Sequence, residues 1–274
     1  MSISAVDFDY ISKLVMDDST ISLPAGKEYL AESRLAPVAL KEGFKSIEQL
    51  IAHIRPLPRN PLHRKVVEAM TTNETSFFRD IHPFETLRTR VLPELLVRCR
   101  GRSPLHIWSA AASTGQEAYS IAMLLREDFP ELVAAGTRIL ATDINTAVLE
   151  RARDGLYSQL EISRGLPAPQ LLRHFDKVGM EWRARPDLRR IIDTQQTNLA
   201  TSWPTLPTMD LVFLRNVLIY LDTDVKRAIL GRIRKVLARG GYLFLGGSET
   251  TIGVDDSFER VQIDRTICYR AISR

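Results

Sequence analysis

The chain has 274 residues, of which 45% are hydrophobic and 26% are charged, and its formal net charge is +4. This length and composition suffice for a buried core in one large domain or two modest ones, which excludes an intrinsically disordered chain. The net charge is mild, and basic residues are not densely interleaved with aromatic ones, so we expect no nucleic-acid partner.

No stretch of the sequence approaches the roughly 20 apolar residues that a membrane span needs, so we expect no direct membrane insertion. The N-terminal segment is acidic and has a helical pattern, which is unlike a secretory signal peptide. The two cysteines, Cys99 and Cys268, lie outside any CxxC or Cys/His cluster, and the five histidines are scattered. We therefore expect reduced thiols, no metal site and a cytoplasmic location.

Residues 1–72 show only helical patterns. Apolar residues recur at helical spacing over residues 8–15. Residues 46–49, Ser-Ile-Glu-Gln, match a capping box at the start of another helix. The prolines of residues 55–61 interrupt the helical pattern, because proline cannot continue a helix.

Charge is segregated within this helical region. Residues 1–33 hold two lysines and six acidic residues, whereas residues 34–65 hold seven basic and two acidic residues. The simpler interpretation is a solvated helical surface. The alternative is a basic face over residues 34–65 that attracts an acidic protein partner.

From about residue 100 the pattern changes to strands that alternate with helices. We predict strands at the apolar runs 105–108, 138–142, 191–197, 210–214 and 242–245, and a closing hairpin at 258–261 and 266–270. Single helices between the strands imply parallel pairing with right-handed crossovers, and therefore a doubly wound α/β domain. The helix over residues 225–238 is predicted to end at a cap formed by Gly240 and Gly241. Residues 155–190 interrupt the alternation and are predicted to form an inserted subdomain.

A turn of small residues, 109–115 (Ser-Ala-Ala-Ala-Ser-Thr-Gly), follows the first strand. Ligands of open α/β sheets bind beyond the carboxyl ends of the strands, and small residues let the backbone approach a ligand closely. The turn lacks the GxGxxG pattern, which disfavours a pyrophosphate ligand. Ala111 is therefore a candidate contact for a ligand without phosphate. Glu117 either contacts that ligand or forms a capping box with Thr114.

Polar residues at the ends of the second and third strands are further candidates. Asp143 has the position of an acid that accepts hydrogen bonds from both ribose hydroxyls, and the alternative is a cap for the next helix. Asn198, which precedes Leu199, is suited to read an adenine edge, although asparagine is common in loops.

Two more polar segments complete the set. Arg215 and Asn216 end the fourth strand, and such a pair is costly to bury without partners, which indicates a ligand. A hydrogen-bond network at a helix start is the alternative. Residues 71–80 combine polar residues with the aromatic pair Phe77 and Phe78, which suggests a lid with a packed anchor or an ordinary linker.

Together these segments resemble one known family. They are TTNETSFFRD (71–80), WSAAASTGQEAYSIAM (108–123), ATDINTAVLERARDGLY (141–157), TNL (197–199), FLRNVLIYLD (213–222) and FLGGSET (244–250). In this order, and over essentially the whole chain, they are similar to chemotaxis receptor methyltransferases, the CheR family. The sequence departs from the family at Ser109, Ala118 and Gly247, where cysteine, proline and histidine are usual, and these changes affect loop stiffness and packing.

The resemblance implies a Rossmann-like class I methyltransferase domain that uses S-adenosylmethionine (SAM) and releases S-adenosylhomocysteine (SAH). It implies three regions, which are a helical N-terminal domain over 1–72, a linker or lid with a connecting helix over 73–100, and the methyltransferase domain over 101–274 with a small β-subdomain inserted at about 155–190. The implied cofactor contacts, with Ala111 added from the turn, are Asn73, Thr75, Arg79, Ala111, Glu117, Asp143, Asn198, Leu199, Arg215 and Asn216.

The activity that the resemblance implies is methyl transfer to glutamate carboxylates on the cytoplasmic helical domain of methyl-accepting chemotaxis receptors. Arg79 is the expected carboxylate-orienting residue, although it could instead pair with the cofactor's own carboxylate, and Tyr220 is a second catalytic candidate. The segment between Phe175 and Asp193 is short, which argues against the receptor-tail tether of some family members. We expect a monomer. A methyltransferase with another substrate and a non-catalytic module that senses SAM or SAH are the alternatives.

Overall fold

The computed structural model describes residues 3–99, 104–201 and 203–272. The predicted boundary between residues 100 and 101 lies outside the described residues. Within them the chain divides into two compact units. The first contains the N-terminal residues up to Thr72 together with Tyr220–Val225, and the second contains Asn73–Ile219 and the chain from Lys226 onward.

The described part of the first unit forms four α-helices, which are α1 (Ala5–Ser19), α2 (Glu28–Lys41), α3 (Ile47–Ile54) and α4 (Pro61–Met70). The Ser46 hydroxyl caps α3 by accepting from the Gln49 N–H at 3.3 Å. The Gln49 side chain accepts from the N–H of Lys45 (3.0 Å) rather than from Ser46, so only half of the predicted capping box forms. Asn60 and His63 form a complete capping box at α4, where proline occupies the first helical position.

The apolar faces of these four helices bury one another. Fully buried members of their core are Ile11, Leu35, Leu50, Ile54 and Val66. Full burial of one such side chain contributes roughly 1.5–3 kcal/mol. Helices of 8 to 15 residues are marginal in isolation, so this shared core, and not helix propensity, stabilises the unit.

The second unit contains ten strands in its described residues, which are β1 (His106–Ala110), β2 (Arg138–Asp143), β3 (Leu156–Ser158), β4 (Phe175–Val178), β5 (Glu181–Ala184), β6 (Ile192–Gln196), β7 (Met209–Leu214), β8 (Leu237–Leu245), β9 (Phe258–Ile263) and β10 (Thr266–Ala271). Seven of them form the main sheet in the order β6-β2-β1-β7-β8-β10-β9. β1 pairs in parallel with both β2 and β7, so the chain moves outward to β6 and then returns to the other side of β1. This reversal is the switch point of a doubly wound sheet and confirms the predicted α/β fold.

The remaining helices are α5 (His82–Thr86), α6 (Leu92–Cys99), α7 (Gln116–Asp128), α8 (Pro130–Ala134), α9 (Thr146–Asp154), α10 (Gln159–Ser163), α11 (Ala168–His174), α12 (Pro186–Arg189) and α13 (Thr223–Val236). A π-helical turn at Leu87–Val91 joins α5 to α6, and a 3-10 turn at Leu218–Tyr220 follows β7. The interior of the sheet is apolar on neighbouring strands, since Phe213 of β7 stacks on Phe244 of β8 with ring centroids 4.6 Å apart. The nearly continuous burial of β7 is typical of a strand covered on both faces.

A separate antiparallel sheet in the order β3-β5-β4 lies inside the predicted insertion. Two of its buried side chains are aromatic. Tyr157 and Phe175 pack edge-on against Phe77, with ring centroids 5.1 and 5.7 Å from it. The subdomain therefore shares its core with the segment that precedes α5.

The start of β8 differs from the prediction. Helix α13 ends at Val236, and Gly240 and Gly241 lie within β8 instead of capping the helix. Leu237 of β8 pairs with Met209 of β7, and Tyr242 pairs with Leu211. The segment of β8 between these two pairs is longer than that of β7, so β8 forms a bulge there. Gly240 has φ of 71° in this bulge, which glycine adopts without strain. The two glycines therefore bend a strand, and their prediction as a helix cap was wrong.

Across residues 3–99, 104–201 and 203–272, no helix combines the length and the apolar character that a membrane crossing requires.

Candidate cofactor site

The carboxyl ends of β1, β2 and β7 meet at the switch point of the sheet. Three loops leave these strand ends, at residues 111–115, 144–145 and 215–217. Hydrogen bonds connect the loops to one another and to the segment Asn73–Asp80, which lies in the same unit. This is the place where open α/β sheets bind ligands.

The turn after β1 has a contorted backbone. Ala111, Ser113 and Gly115 all have positive φ, at 57°, 52° and 94°. A Cβ on Gly115 would lie 2.9 Å from the Cβ of Ala152, so the turn also packs too closely for any other residue there. Positive φ at non-glycine residues clusters at functional sites, and here it bends the backbone around the carboxyl end of β1.

Glu117 does not cap helix α7. The N-cap residue is Gly115, no side chain of the described residues caps this end, and the Thr114 hydroxyl donates to Gln116 instead. The Glu117 carboxylate accepts a hydrogen bond from the Ser109 hydroxyl (2.7 Å) and forms an ion pair with Arg215 (3.1 Å). The capping-box alternative is therefore wrong, and Glu117 lies at the carboxyl end of β1 with charged neighbours.

Asp143 is buried at the end of β2 and connects two loops. Its Oδ2 accepts from the Ser113 N–H at 2.9 Å, and its Oδ1 accepts from the Asn145 N–H at 3.0 Å. Asn145, and not Asp143, is the N-cap residue of helix α9. The helix-cap alternative is therefore wrong for Asp143, whose carboxylate is fixed at the carboxyl end of β2 by two loop N–H groups.

Arg215 is a buried charge with two acidic partners. Its side chain is 2% exposed and pairs with Glu117 and with Asp80 (2.7 Å), and it also donates to the Arg79 carbonyl at 3.0 Å. The guanidinium lies over the ring of Phe84. Arg215 itself connects β7 to helix α7 and to the segment Asn73–Asp80, whereas the backbone N–H of Asn216 joins a hydrogen-bond network at the start of the 3-10 turn, as the alternative expected.

The segment Asn73–Asp80 is held against the turn after β1. The Ser113 hydroxyl donates to the Asn73 carbonyl at 2.7 Å, and the Phe78 N–H donates to the Ser120 hydroxyl at 2.9 Å. Arg79 donates to the Glu74 carbonyl at 3.1 Å, which turns the segment back on itself. Asn73, Thr75 and Arg79 thus belong to one segment bound to the turn that contains Ala111.

The Asn198–Leu199 loop follows β6 and has its own anchor. The Asn198 Oδ1 accepts from the Ala200 N–H at 2.9 Å, and the Leu199 carbonyl accepts from the indole N–H of Trp203 at 3.2 Å. Trp203 packs edge-on against Trp108 of β1, with ring centroids 4.9 Å apart. Arg232 lies over Trp203 and donates to the carbonyls of residues 200 and 201, and its desolvation there lowers its pKa.

Tyr220 is placed differently from the other predicted residues. It belongs to the segment Tyr220–Val225, which clusters with the helical unit, and its carbonyl accepts from the Ser22 N–H at 3.5 Å. The catalytic role of Tyr220 stays a prediction.

Three residues at this edge of the sheet were not among the predicted ones, namely Trp203, Arg232 and Glu249. A tryptophan soon after a polar strand end was an available signal for Trp203. Glu249 follows two glycines and a serine directly after β8, and a carboxylate in so small a loop was the signal that it accepts backbone hydrogen bonds. Arg232 has no such signal, because it resembles any charged residue on helix α13.

The residues present suit a ligand that combines a nucleoside with an amino acid. The carboxylates of Glu117 and Asp80 converge on the guanidinium of Arg215. Within the described residues, the Nε of Arg215 and the Oδ1 of Asn216 are both buried, and neither has a hydrogen-bond partner. Buried polar atoms of this kind indicate an additional partner. Among the described residues no three side chains of the His, Cys, Asp or Glu type converge as a metal-ligand set.

Comparison with known proteins agrees with this arrangement. Residues 73–267 match the family model of the SAM-binding domain of CheR methyltransferases, and residues 6–71 match that of their all-alpha domain. The chain is 42% identical to chemotaxis protein methyltransferase 1 of Pseudomonas aeruginosa, with 99% of this chain and 100% of that protein covered. It is 41% identical to chemotaxis protein methyltransferase Cher2 of Pseudomonas putida, with the same coverage, and 36% identical to the chemotaxis protein methyltransferase of Vibrio parahaemolyticus, with 98% of each covered.

The matched regions contain all the predicted cofactor residues, and the relatives are covered over nearly their full length. SAM is thus the cofactor that the second unit binds. The chain belongs to the CheR family of SAM-dependent methyltransferases.

Proposed function

We propose that this enzyme transfers the methyl group of SAM to glutamate side-chain carboxylates of chemotaxis receptors and releases SAH. The observation that carries the proposal is the site at the switch point, where buried Arg215 joins two carboxylates, in a chain whose relatives are chemotaxis methyltransferases. A protein methyltransferase for carboxylates needs to bind one zwitterionic cofactor and admit one anionic side chain. The charges of this site serve both tasks.

The nucleoside part of SAM is assigned to the loops after β2 and β6. Asp143 accepts hydrogen bonds from the ribose hydroxyls, because its carboxylate is fixed at the end of β2 by two backbone N–H groups. Asn198 and Leu199 contact the adenine, in a loop that Trp203 and Arg232 hold in place.

The amino-acid part of SAM is assigned to the other side of β1. Glu117 pairs with the ammonium group and Arg215 with the carboxylate, since each has the charge opposite to that group and the two side chains lie together at this edge of the sheet. Ala111 contacts SAM through its backbone. The segment that is hydrogen-bonded to this turn contributes three further contacts to SAM, from Asn73, Thr75 and Arg79.

The reaction needs no strong general base. A glutamate side chain has a reference pKa near 4.3, so the substrate is a carboxylate at neutral pH. Bound SAM supplies an electrophilic methyl group on a positively charged sulfur. One carboxylate oxygen forms the new C–O bond while the C–S bond breaks and its electron pair stays on sulfur, so the products are a neutral methyl ester and a neutral thioether.

The enzyme contributes alignment and exclusion of water. Arg79 orients the substrate carboxylate, because a planar guanidinium matches two oxygens, and Tyr220 donates a second hydrogen bond. Arg79 pairing with the carboxylate of SAM is the competing assignment. A variant Arg79→Lys separates them: a rise in KM for the receptor alone favours the first, and a rise in KM for SAM favours the second.

The direct test uses tritiated SAM with receptor cytoplasmic fragments. We expect label on the receptor that alkali releases as methanol, and no such label with the variant Asp143→Asn. Alkali-stable label, or label only on another class of substrate, would show a methyltransferase of different specificity. Tight SAH binding without any turnover would instead support the sensor module.

The helical unit is proposed to face the receptor, but fewer cations are available than the sequence suggests. Arg55 pairs with Asp7, Arg59 pairs with Asp17 and Asp18, and Lys65 pairs with Glu42. The acidic block of residues 1–33 therefore neutralises part of the basic block. Exposed basic side chains without such pairs in the described structure are Lys41, Lys45 and Arg64.

Replacing Lys41, Lys45 and Arg64 together by glutamine is expected to raise KM for the receptor about tenfold at low salt, with kcat unchanged. Exposed charges act mainly by steering an acidic partner, which salt screens, so the salt dependence of kcat/KM should also become flatter. The matched control replaces three exposed basic residues of the other unit, Arg88, Lys235 and Arg239. Equal salt profiles for the two triple variants would show that residues 34–65 do not face the receptor.

Five further assignments belong to the same proposal. The enzyme works as a cytoplasmic monomer and does not need a receptor-tail tether. The domain boundaries follow those expected for residues 1–72, 73–100 and 101–274. The receptor domain that it modifies is a long helical bundle.

A further inference from the structure

Glu249 accepts hydrogen bonds from four backbone N–H groups. Its two carboxylate oxygens lie 2.8 Å from the nitrogen of Asn216, 2.8 Å from that of Val217, 3.3 Å from that of Ile219 and 2.6 Å from that of Gly246. Glu249 is buried. A buried charge is stable only when it is this well hydrogen-bonded, so the arrangement is specific.

These four bonds join two loops that leave neighbouring strands. Asn216, Val217 and Ile219 follow β7, whereas Gly246 is the first residue after β8. Without the carboxylate the N–H groups of the loop after β7 would need other acceptors. Glu249 therefore determines the path of the chain directly after Arg215.

Asn216 has a strained backbone in this loop. Its φ is 59°, in the left-handed region, and the donation from its N–H to Glu249 accompanies that conformation. Its side-chain Oδ1 is buried, and within the described residues it has no hydrogen-bond partner. The carboxamide is thus kept in place by its backbone while one polar atom stays available for a ligand.

Gly246 makes this arrangement possible. A Cβ there would lie 2.7 Å from Oε2 of Glu249, 2.8 Å from Nδ2 of Asn216 and 2.9 Å from the nitrogen of Asn216. Any side chain at residue 246 would push the two loops apart. A Cβ on the adjacent Gly247 would meet nothing within 4 Å.

We propose that Glu249 and Gly246 are positioning residues for cofactor binding: they hold Asn216 in its strained conformation so that its free carboxamide oxygen accepts a hydrogen bond from SAM. This inference rests on the proposed function and on the cofactor contact at Asn216 that the family resemblance implies. It adds two residues that act through Asn216 without touching the ligand.

The test compares two alanine variants that differ by one position. Gly246→Ala is expected to raise the dissociation constant for SAH, measured by calorimetry, by about 10-fold to 100-fold, because a hydrogen bond in a preorganised site is lost. Gly247→Ala is expected to bind SAH like the unmodified enzyme. Equal dissociation constants for Gly246→Ala and Gly247→Ala would overturn the inference.

A double-mutant cycle excludes a merely structural effect. Asn216→Gly removes the carboxamide without backbone strain, because glycine tolerates positive φ. If Glu249 acts through Asn216, Glu249→Gln should weaken SAH binding about tenfold in the natural sequence and have no further effect in the Asn216→Gly background. Additive losses would overturn the inference, and so would unchanged SAH binding by Glu249→Gln. The glutamine variant also keeps the test valid if Gly246→Ala does not fold.

The failure of this inference differs from the failure of the proposed function. Weaker SAH binding by Asn216→Gly, together with normal binding by Gly246→Ala and Glu249→Gln, contradicts only the positioning roles. Normal SAH binding by Asn216→Gly contradicts its cofactor assignment and the inference with it. Absence of methyl transfer to receptors, with SAH binding intact, contradicts only the proposed substrate.

Discussion

Replacing Asp143 by asparagine is expected to raise the dissociation constant for SAH at least about 100-fold. The proposed hydrogen bonds from the ribose hydroxyls are made to a charged acceptor, and each such bond contributes about 1.5–3 kcal/mol. Loss of the charge and of one acceptor oxygen weakens the binding free energy of SAH by about 3 kcal/mol, which is roughly a factor of 100 in affinity. Asparagine has nearly the same shape as aspartate, so calorimetry with SAH reports the missing charge and acceptor.

The control for Asp143→Asn is Asp193→Asn on the neighbouring strand. The Asp193 side chain is about half exposed and pairs with Arg138 on the surface, and such pairs contribute 1 kcal/mol or less. Asp193→Asn should bind SAH normally. Circular dichroism should show a folded protein for both variants. If Asp143→Asn binds SAH as tightly as the control, the ribose does not bind to this carboxylate, and the orientation proposed for the cofactor is contradicted.

The sequence indicated the position of Asp143 because burial and periodicity decide where a strand ends. A strand inside a doubly wound sheet is apolar along most of its length, so the first charged residue after its apolar run marks the carboxyl edge where ligands bind. Asp143 and Arg215 both follow this rule. The strand order then explains why both residues lie at one edge of the sheet, because β1 lies between β2 and β7.

Local motifs were less reliable where tertiary contacts compete with them. Thr114 and Glu117 have the spacing of a capping box, yet Glu117 pairs with Arg215, which lies about a hundred residues later in the chain. Gly240 and Gly241 have the position of a helix cap, but the pairing of β8 with β7 extends the strand past them. In both cases a long-range interaction is stronger than a local preference, and a single sequence does not contain that information.

The supports of the site were the least predictable part. Trp203, Arg232 and Glu249 act on backbone atoms, and backbone acceptors and donors have no residue identity that a motif could show. Their function depends on the paths of two loops that meet only after folding. The residues proposed to touch the cofactor were thus predictable from type and position, whereas the residues that hold them had only a local signal, for Trp203 and Glu249, or none, for Arg232.

Replacing Arg215 by methionine is expected to lower the free energy of unfolding by about 3 kcal/mol and to abolish methyl transfer. Arg215 is buried between Glu117 and Asp80, and removal of one partner of a buried pair leaves the other charge without compensation. Asp80 is more than half exposed, so water can solvate it when its partner is removed. The loss of stability therefore comes mainly from the unpaired carboxylate of Glu117, whose side chain is 13% exposed. Urea denaturation measures the first effect and tritium transfer the second.

The second substitution Glu117→Gln distinguishes a buried charge from lost packing. If the unpaired carboxylate is the cause, the double variant Arg215→Met/Glu117→Gln should be more stable than Arg215→Met alone, while both stay inactive. The matched control is Arg90→Met, which removes a surface pair with Asp264 whose atoms are 3.6 Å apart and both largely exposed. It should change stability by no more than about 0.5 kcal/mol. A double variant no more stable than Arg215→Met would show that Arg215 stabilises the fold through packing on Phe84, and that its charge serves the cofactor alone.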